Sequence, residues 1–368
     1  MPRSRSLIGR LAAGLVLSAA LLAIAEVLLR LCAPTAAPSL ADYDHYERGL
    51  VEMGGFTDTG KLFEEDVELF WKLRPGVRDL PWKPKLWLDN RTNALGFRDV
   101  ERAPERVPGS LRILCLGDSC TYGTGVRLAD SWPQRLEELL ATHFDDRVVE
   151  VINGGVPGYS SDQGLTFLDR WQSILDPDLV MITFGLNDSR HWDLQHHQER
   201  GHGLCRTDRE QRRLLDRPIV HLHRSLSSLQ IYRRLLRALP RPSPKVPLAP
   251  STEGSVRVPA DQYAENLRSM VERCRESACQ PVFLVWPIRW QVEHHDGAPY
   301  DPPTPFQIAM QEVADACDVP LLDLVRSLEG HNVGYVDSVH MDARGLKDVA
   351  LEIGRFLDDS KLLPTKLP

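Results

Sequence analysis

Apolar residues are arranged in two unlike ways along this chain. Near the N-terminus they form one long block, Leu11 to Ala25, without a charged residue; Glu26 interrupts it and Val27-Leu28-Leu29 resume it before Arg30. From Leu111 onward they come as short continuous runs: Arg112–Leu116, Val148–Ile152, Leu179–Phe184, Val282–Trp286 and Leu321–Leu322. Longer stretches with helical spacing lie between them: Trp132–Phe144, Asp162–Ile174, Ala260–Ser277 and Pro305–Cys317, with a last one from about Ala343 to Leu357. Short, continuously apolar runs belong to strands buried on both faces, and alternation with helices makes such strands parallel. The pattern predicts an α/β fold: a three-layer α/β/α sandwich around a mostly parallel five-stranded sheet. Ser131, ahead of Gln134, and Asp342 are expected to cap two of the helices.

The N-terminal block has a different meaning. Leu11 to Leu31 is 21 residues, and as a helix it covers about 30 Å, enough to cross a bilayer core. Arg3, Arg5 and Arg10 precede it, which predicts a cytoplasmic N-terminus and an exported remainder. Glu26 would then lie near the outer interface, where an ionisable group costs less. A cleaved signal peptide is the competing reading, but Leu29-Arg30-Leu31-Cys32 is a poor cleavage site and a poor lipidation box. A soluble buried helix fits less well, because the block is apolar all round.

Residues 1–32 are thus expected to be a membrane anchor, 33–108 a tether and lead-in, and 109–362 the main domain. In the lead-in, Phe70 to Gly76 and Leu86-Trp87-Leu88 read as short strands, and Asn93 to Arg98 as a turn with one buried aromatic. An insertion at 189–259 breaks the alternation. It carries His191, His196, His197 and His202, a basic helical stretch Leu226 to Leu239, and a Pro/Ser segment Pro240 to Ser255. It leaves the sheet beside Asn187, as a lid or cleft wall would.

Composition narrows the function classes. With 42% apolar residues in 368, the chain can build a sizeable core. Its net charge of −7 is spread without a basic stripe, so nucleic acid is not an expected partner. Seven cysteines (Cys32, Cys115, Cys120, Cys205, Cys274, Cys279, Cys317) contain no C-x-x-C pair, which argues against a zinc ribbon. Isolated buried thiols are expected, with a local Cys274–Cys279 disulfide as the alternative. The four histidines of the insertion lack the H-E-x-x-H arrangement and read as a solvated segment. No metal and no cofactor is expected.

The candidate chemistry lies at the ends of the predicted strands. Gly117-Asp118-Ser119 follows the first, Asn153-Gly154-Gly155 the second and Gly185-Leu186-Asn187-Asp188 the third, while Asp337 and His340 precede the last helix. An open α/β sheet places its site at that rim. Acyl transfer needs a nucleophile, a base, a group that orients the base, and donors for the oxyanion. Ser119, His340, Asp337 and the donors Ser119 N–H, Gly155 N–H and Asn187 side chain fill those roles. Each piece alone is also a turn or a helix cap; their joint occurrence in order favours the chemical reading. Trp286, Arg289 and Trp290 line the cleft or, alternatively, the tryptophans pack in the core and Arg289 forms a surface ion pair, and Cys120 reads as a small buried filler.

These blocks resemble the SGNH (GDSL-type) hydrolase superfamily, in a membrane-anchored bacterial subgroup. The matching residues are Leu116 to Gly123, Asn153 to Gly158, Gly185 to Asp188 and Asp337 to His340, within roughly residues 110 to 358. The resemblance implies a flavodoxin-like sheet and a metal-free serine esterase or acyltransferase, with Ser119 as nucleophile, His340 as base, Asp337 orienting it, and Ser119, Gly155 and Asn187 in the oxyanion hole. Asp118 is then structural. The expected activity is a serine esterase on an O-acyl ester, a short acyl group on an extracytoplasmic carbohydrate, held at the cytoplasmic membrane through residues 11–31 with its catalytic domain in the periplasm. The alternatives are a lysophospholipase or thioesterase, a polysaccharide O-acyltransferase, and a catalytically silent polysaccharide-binding subunit.

Overall fold

The apolar runs become a single five-stranded sheet in a computed structural model of the chain. It describes residues 3–35, 62–78, 89–144, 147–190, 207–216, 218–238, 256–293, 300–331 and 333–363. Leu86 to Leu88, the four insertion histidines, Cys205 and the Pro/Ser segment lie outside these residues. Val51–Arg212 with Leu248–Pro368 form one compact unit, and Met1–Leu50 with Arg213–Pro247 another.

The larger unit opens with an antiparallel hairpin, β1 (Phe63–Asp66) and β2 (Phe70–Leu73). The sheet follows: β3 (Leu111–Gly117), β4 (Val149–Gly155), β5 (Leu179–Thr183), β6 (Gln280–Val285) and β7 (Leu321–Asp323). Its order is β4-β3-β5-β6-β7 and every pair is parallel. Counted within the sheet that is 2-1-3-4-5, the flavodoxin-like order. Successive side chains of each strand enter opposite cores. Leu114, Leu116, Ile152, Val180, Ile182 and Phe283 pack with the helices Ser161–Leu175, Ala260–Glu276 and Pro305–Cys317. Ile113, Cys115, Val151, Met181, Val282 and Leu284 pack with Trp132–His143 and Ala343–Asp359. Each such Leu, Ile or Val contributes about 1.5–3 kcal/mol on burial, so the three-layer arrangement follows from the strand pattern.

Two local expectations need correction. β4 runs three residues beyond Ile152, because Asn153, Gly154 and Gly155 stay in register with Cys115, Leu116 and Gly117. Ser131 does not cap the helix it precedes. Its Oγ donates to the Leu128 carbonyl instead, and Pro133 removes an N–H that a cap would take. Asp342 does cap, accepting from the N–H groups of Arg344 and Gly345 at 2.8 and 3.1 Å. Leu69, Leu73, Val77 and Phe97 of the lead-in belong to the core of this unit.

In the smaller unit the N-terminal block is one helix, Arg3–Cys32, whose segment Gly9–Cys32 is 24 residues with mean hydropathy 2.3, long and apolar enough to cross a membrane. The basic stretch expected to be helical from Leu226 to Leu239 holds the helix Gln230–Ala238; a separate helix, Pro218–Leu226, precedes it, and a further one, Asp208–Leu215, spans the unit boundary. The break falls at Ser227-Ser228-Leu229. There Glu26 accepts from the N–H groups of Gln230 and Ile231 at 2.8 and 3.0 Å and starts the second helix. Glu26 also takes the Arg30 guanidinium at 2.7 Å. It is therefore an N-terminal cap for a distant helix rather than a free surface carboxylate.

Candidate active site

Ser119 is the first residue of a one-turn helix, Ser119–Tyr122, that begins directly past β3. Asp118 starts that turn, its Oδ1 accepting the Cys120 N–H at 2.8 Å. Gly117 has no room for a side chain: a Cβ there would lie 2.1 Å from Thr121 Oγ1. Gly123 ends the turn with φ of 85° in the left-handed region, which glycine adopts without strain. The carbonyls at this end are collected by Arg98, which donates to Tyr122 and Val126 at 2.7 Å each and lies 4.6 Å over the Tyr122 ring. The guanidinium is fully buried, and burial pushes its pKa down. The sequence signal for Arg98 is its place at the end of the Asn93–Arg98 turn, but its acceptors lie 24 to 28 residues further on.

His340 arrives on a loop that orders itself. Asp337 Oδ1 accepts the N–H groups of Val339 and His340 at 2.9 and 2.8 Å. Its other oxygen meets His340 Nδ1 at 2.7 Å, and His340 Nε2 lies 2.8 Å from Ser119 Oγ. With the Nδ1 proton directed at the carboxylate, Nε2 is left as acceptor for the serine O–H. Burial alone would raise the Asp337 pKa; the bonds from His340 and the two backbone N–H groups overcome it and hold the carboxyl well below its usual range. The loop is tied down from outside as well. The Val339 carbonyl accepts from Trp286 Nε1 at 3.1 Å and from the Cys120 thiol at 3.5 Å, and Arg289 N–H donates to the Ser338 carbonyl. Trp286 thus takes the packing role, and Arg289 pairs with Glu293 at 2.7 Å.

The expected oxyanion donors are not equivalent. Ser119 N–H has no acceptor among the described residues. Gly155 N–H donates to Asn153 Oδ1 at 3.0 Å, and the residue is buried in the β3–β4 ladder. Its backbone lies so close to the nucleophile turn that a Cβ would stand 2.2 Å from Tyr122 N. Gly155 is therefore a packing glycine whose donor is occupied. Three residues on, Gly158 is half-exposed, has φ of 82°, and its N–H has no acceptor among the described residues. The sequence signal for it was Pro157-Gly158, a dipeptide suited to a turn that needs positive φ. Asn187 Nδ2 donates to Asp118 Oδ2 at 2.9 Å and to the Tyr159 carbonyl at 3.1 Å. This links the nucleophile turn, the loop after β4 and the loop after β5. Asp118 is buried, which raises its pKa against the Cys120 bond. Asp188, pushed up to about 7 by burial, accepts from Ser161 and Gly185 N–H and fixes the turn that carries Asn187.

The lead-in hairpin reaches this rim. Trp71 Nε1 donates to the Pro157 carbonyl at 3.0 Å, and Tyr159 O–H donates to the Trp71 carbonyl at 2.7 Å. Among the described residues no group of three or more His, Cys, Asp or Glu is placed to hold a metal ion.

Known proteins are similar to this chain in sequence. The GDSL-like Lipase/Acylhydrolase family profile matches residues 115–347. An arylesterase from Vibrio mimicus is 39% identical over 79 residues, which are 22% of this chain and 38% of that protein. Among solved structures, a lipase/acylhydrolase from Enterococcus faecalis is 20% identical with a TM-score of 0.42, covering 70% of this chain and 100% of its own. The psychrotrophic esterase EstA from Pseudoalteromonas sp. is 13% identical with a TM-score of 0.41, again over 70% and 100%. The match spans well over half of the chain and takes in Ser119, Asn187, Asp337 and His340: this protein belongs to the GDSL-like lipase/acylhydrolase family.

Proposed function

We propose that the protein is a serine esterase that works through an acyl-enzyme. The observation that carries this is the unbroken relay from Asp337 through His340 to Ser119, with contacts of 2.7 and 2.8 Å. His340 Nε2 takes the proton as Ser119 Oγ bonds to the ester carbonyl carbon. The same nitrogen returns the proton to the departing alcohol oxygen as the C–O bond breaks. Water then repeats the sequence in reverse roles and frees the acid. Charge on the carbonyl oxygen is met by the N–H groups of Ser119 and Gly158, the Gly155 N–H being taken by Asn153. Asn187 joins them by exchanging the Tyr159 carbonyl for the oxyanion, each donor being worth about 3–4 kcal/mol in the transition state.

We further propose an O-acyl carbohydrate with a short acyl group as substrate, outside the cytoplasmic membrane. Residues 1–32 anchor the chain and 33–108 lead into the catalytic domain, 109–362 with its insertion at 189–259. The apolar helix Gly9–Cys32 supports the anchor, and the arginines before it support the orientation. That same helix gives a second reading its footing, a lipid-directed hydrolase kept beside its substrate. A series of p-nitrophenyl esters separates the two: turnover falling beyond acetyl or propionyl supports the carbohydrate reading, and turnover rising with chain length supports the lipid one. Labelling by a fluorophosphonate, lost in Ser119→Ala, tests the mechanism itself; labelling that persists in the variant removes Ser119 from the nucleophile role.

A further inference from the structure

The helix Ala260–Glu276 ends in a turn that brings two cysteines together. Ala278 has φ of 55°, in the left-handed region. The Cys279 N–H donates to the Cys274 carbonyl at 2.9 Å, and the Ala278 N–H donates to the Arg275 carbonyl at 3.1 Å. With Ser277 as the last half-helical residue, these are the two bonds of a Schellman motif. That motif has a side-chain consequence: the residue two beyond the left-handed cap's helix end packs on the residue one turn back. In most helices this contact is between two apolar residues. Here the two positions are Cys279 and Cys274, both buried and both free thiols. The backbone bond between the same two residues brings their Cα atoms to the separation a disulfide spans, roughly 4.4–6.8 Å.

The surroundings favour closure. Cys274 is fully buried and Cys279 nearly so, in a cluster with Leu175, Met270 and Phe283. Among the described residues, the polar side chain bonded to the pair is Gln172, whose Nε2 lies 3.8 Å from Cys279 Sγ and also donates to the Arg273 carbonyl. An S–S bond would keep its contacts with that apolar cluster and remove two weakly satisfied S–H groups. Ser277 and Ala278 between them are exposed, so opening of this one turn gives an oxidant access. Cys115 and Cys120 lie in the core on the other face of the sheet.

We propose that Cys274 and Cys279 form an intrachain disulfide that pins the end of this helix to the start of β6. The oxidant is a disulfide, either a small molecule or a thiol oxidase. One cysteine thiolate attacks it, forming a mixed disulfide and releasing one thiol. The second thiolate displaces the other half. Two protein thiols become one S–S bond, and the oxidant, taking the electron pair and both protons, becomes two thiols. The proposal stands apart from the esterase reading and from the chain's location in the cell.

The test is equilibration of the full chain with mixtures of oxidised and reduced glutathione, followed by acid quenching, alkylation and tryptic digestion. Cleavage after Arg275 falls between the two cysteines. The expected product is therefore the dipeptide Cys274-Arg275 joined to the peptide from Glu276 to Arg289, two fragments that separate on reduction. Cys274→Ser supplies the control for access, because its Cys279 should then carry glutathione. The oxidised protein is expected to melt roughly 5 °C above the reduced one, a difference absent in Cys274→Ser, while ester turnover stays the same in all forms. Recovery of both wild-type cysteines alkylated, under conditions where Cys279 of the variant is glutathionylated, overturns the proposal. So does a linked product that joins either cysteine to a different one.

Discussion

Ser119 is held by buried parts drawn from several places in the chain, whereas His340 is held by a turn largely of its own making. On the nucleophile side, Gly117 admits Thr121, Asp118 caps the turn and accepts Asn187, and Arg98 arrives from the lead-in to collect the carbonyls. Nearly all of it is inaccessible to water. On the base side, one carboxylate, Asp337, satisfies two backbone N–H groups and the imidazole within four consecutive residues, and its side chain is 37% exposed. A nucleophile must keep its oxygen and its N–H in register with other donors, so its position is over-determined by the core. A base needs only one correct tautomer and one direction, which a short turn can supply. The first arrangement is sensitive to changes far away in sequence; the second is sensitive chiefly to Asp337.

That contrast can be tested by removing its parts in turn. Ser119→Ala is expected to lower kcat/KM on p-nitrophenyl acetate by about 10^4-fold or more, with an unchanged melting temperature; retained turnover would place the nucleophile elsewhere. Asp337→Asn should cost about 10^3–10^4-fold in kcat, because the amide presents a donor to Nδ1 and selects the wrong tautomer; a loss confined to KM would contradict an orienting role. Asn187→Ala is expected to reduce kcat by about 10^2–10^3-fold with little change in KM, and equal losses in ground-state binding would remove it from the oxyanion site. Arg98→Met should act through stability instead, costing about 3 kcal/mol as the Tyr122 and Val126 carbonyls lose their donor. Chemical denaturation reads this, and a variant as stable as wild type would show that the lead-in does not support the nucleophile turn.

The smallest expected effect is on the pH dependence of stability. The Asp337 pKa is lower in the folded chain than in the unfolded one. Its contribution is therefore fully present above the unfolded value, about 3.9, and is lost as pH falls through the folded value. The melting-temperature gap between wild type and Asp337→Ala should stay level from neutrality down to about pH 4 and narrow below it. A gap that already closes between about pH 7 and 5 would mean that a different group, not this carboxylate, sets the acid response.

Much of this was legible in the sequence because it depends on local pattern. The five sheet strands are continuously apolar and the helices between them amphipathic, so element types follow and their bounds fall within a few residues. Ser119, Asp337 and His340 stand out because each sits at the end of an element in a chemically suggestive string. Gly155 shows where such reading stops. Asn153-Gly154-Gly155 looks like a turn that frees a donor, but pairing with Cys115, Leu116 and Gly117 keeps it in the ladder. In that extended register the Asn153 side chain takes the Gly155 N–H, an outcome that the string of residue types does not announce. The bonding roles of Arg98 and Glu26 are not legible in the sequence, because their acceptors and donors are 24 to 28 and 204 to 205 residues away.

The sequence by itself determined the α/β alternation and the apolar N-terminal helix and singled out Ser119, Asp337 and His340 as candidates, because hydrophobic periodicity and turn chemistry act over a few residues at a time. Only the tertiary structure decided that Nε2 of residue 340 meets Oγ of residue 119 and which backbone N–H groups at the rim remain unbonded. Those outcomes depend on strand order, register and burial, which set distances between segments that the chain separates by up to 221 positions.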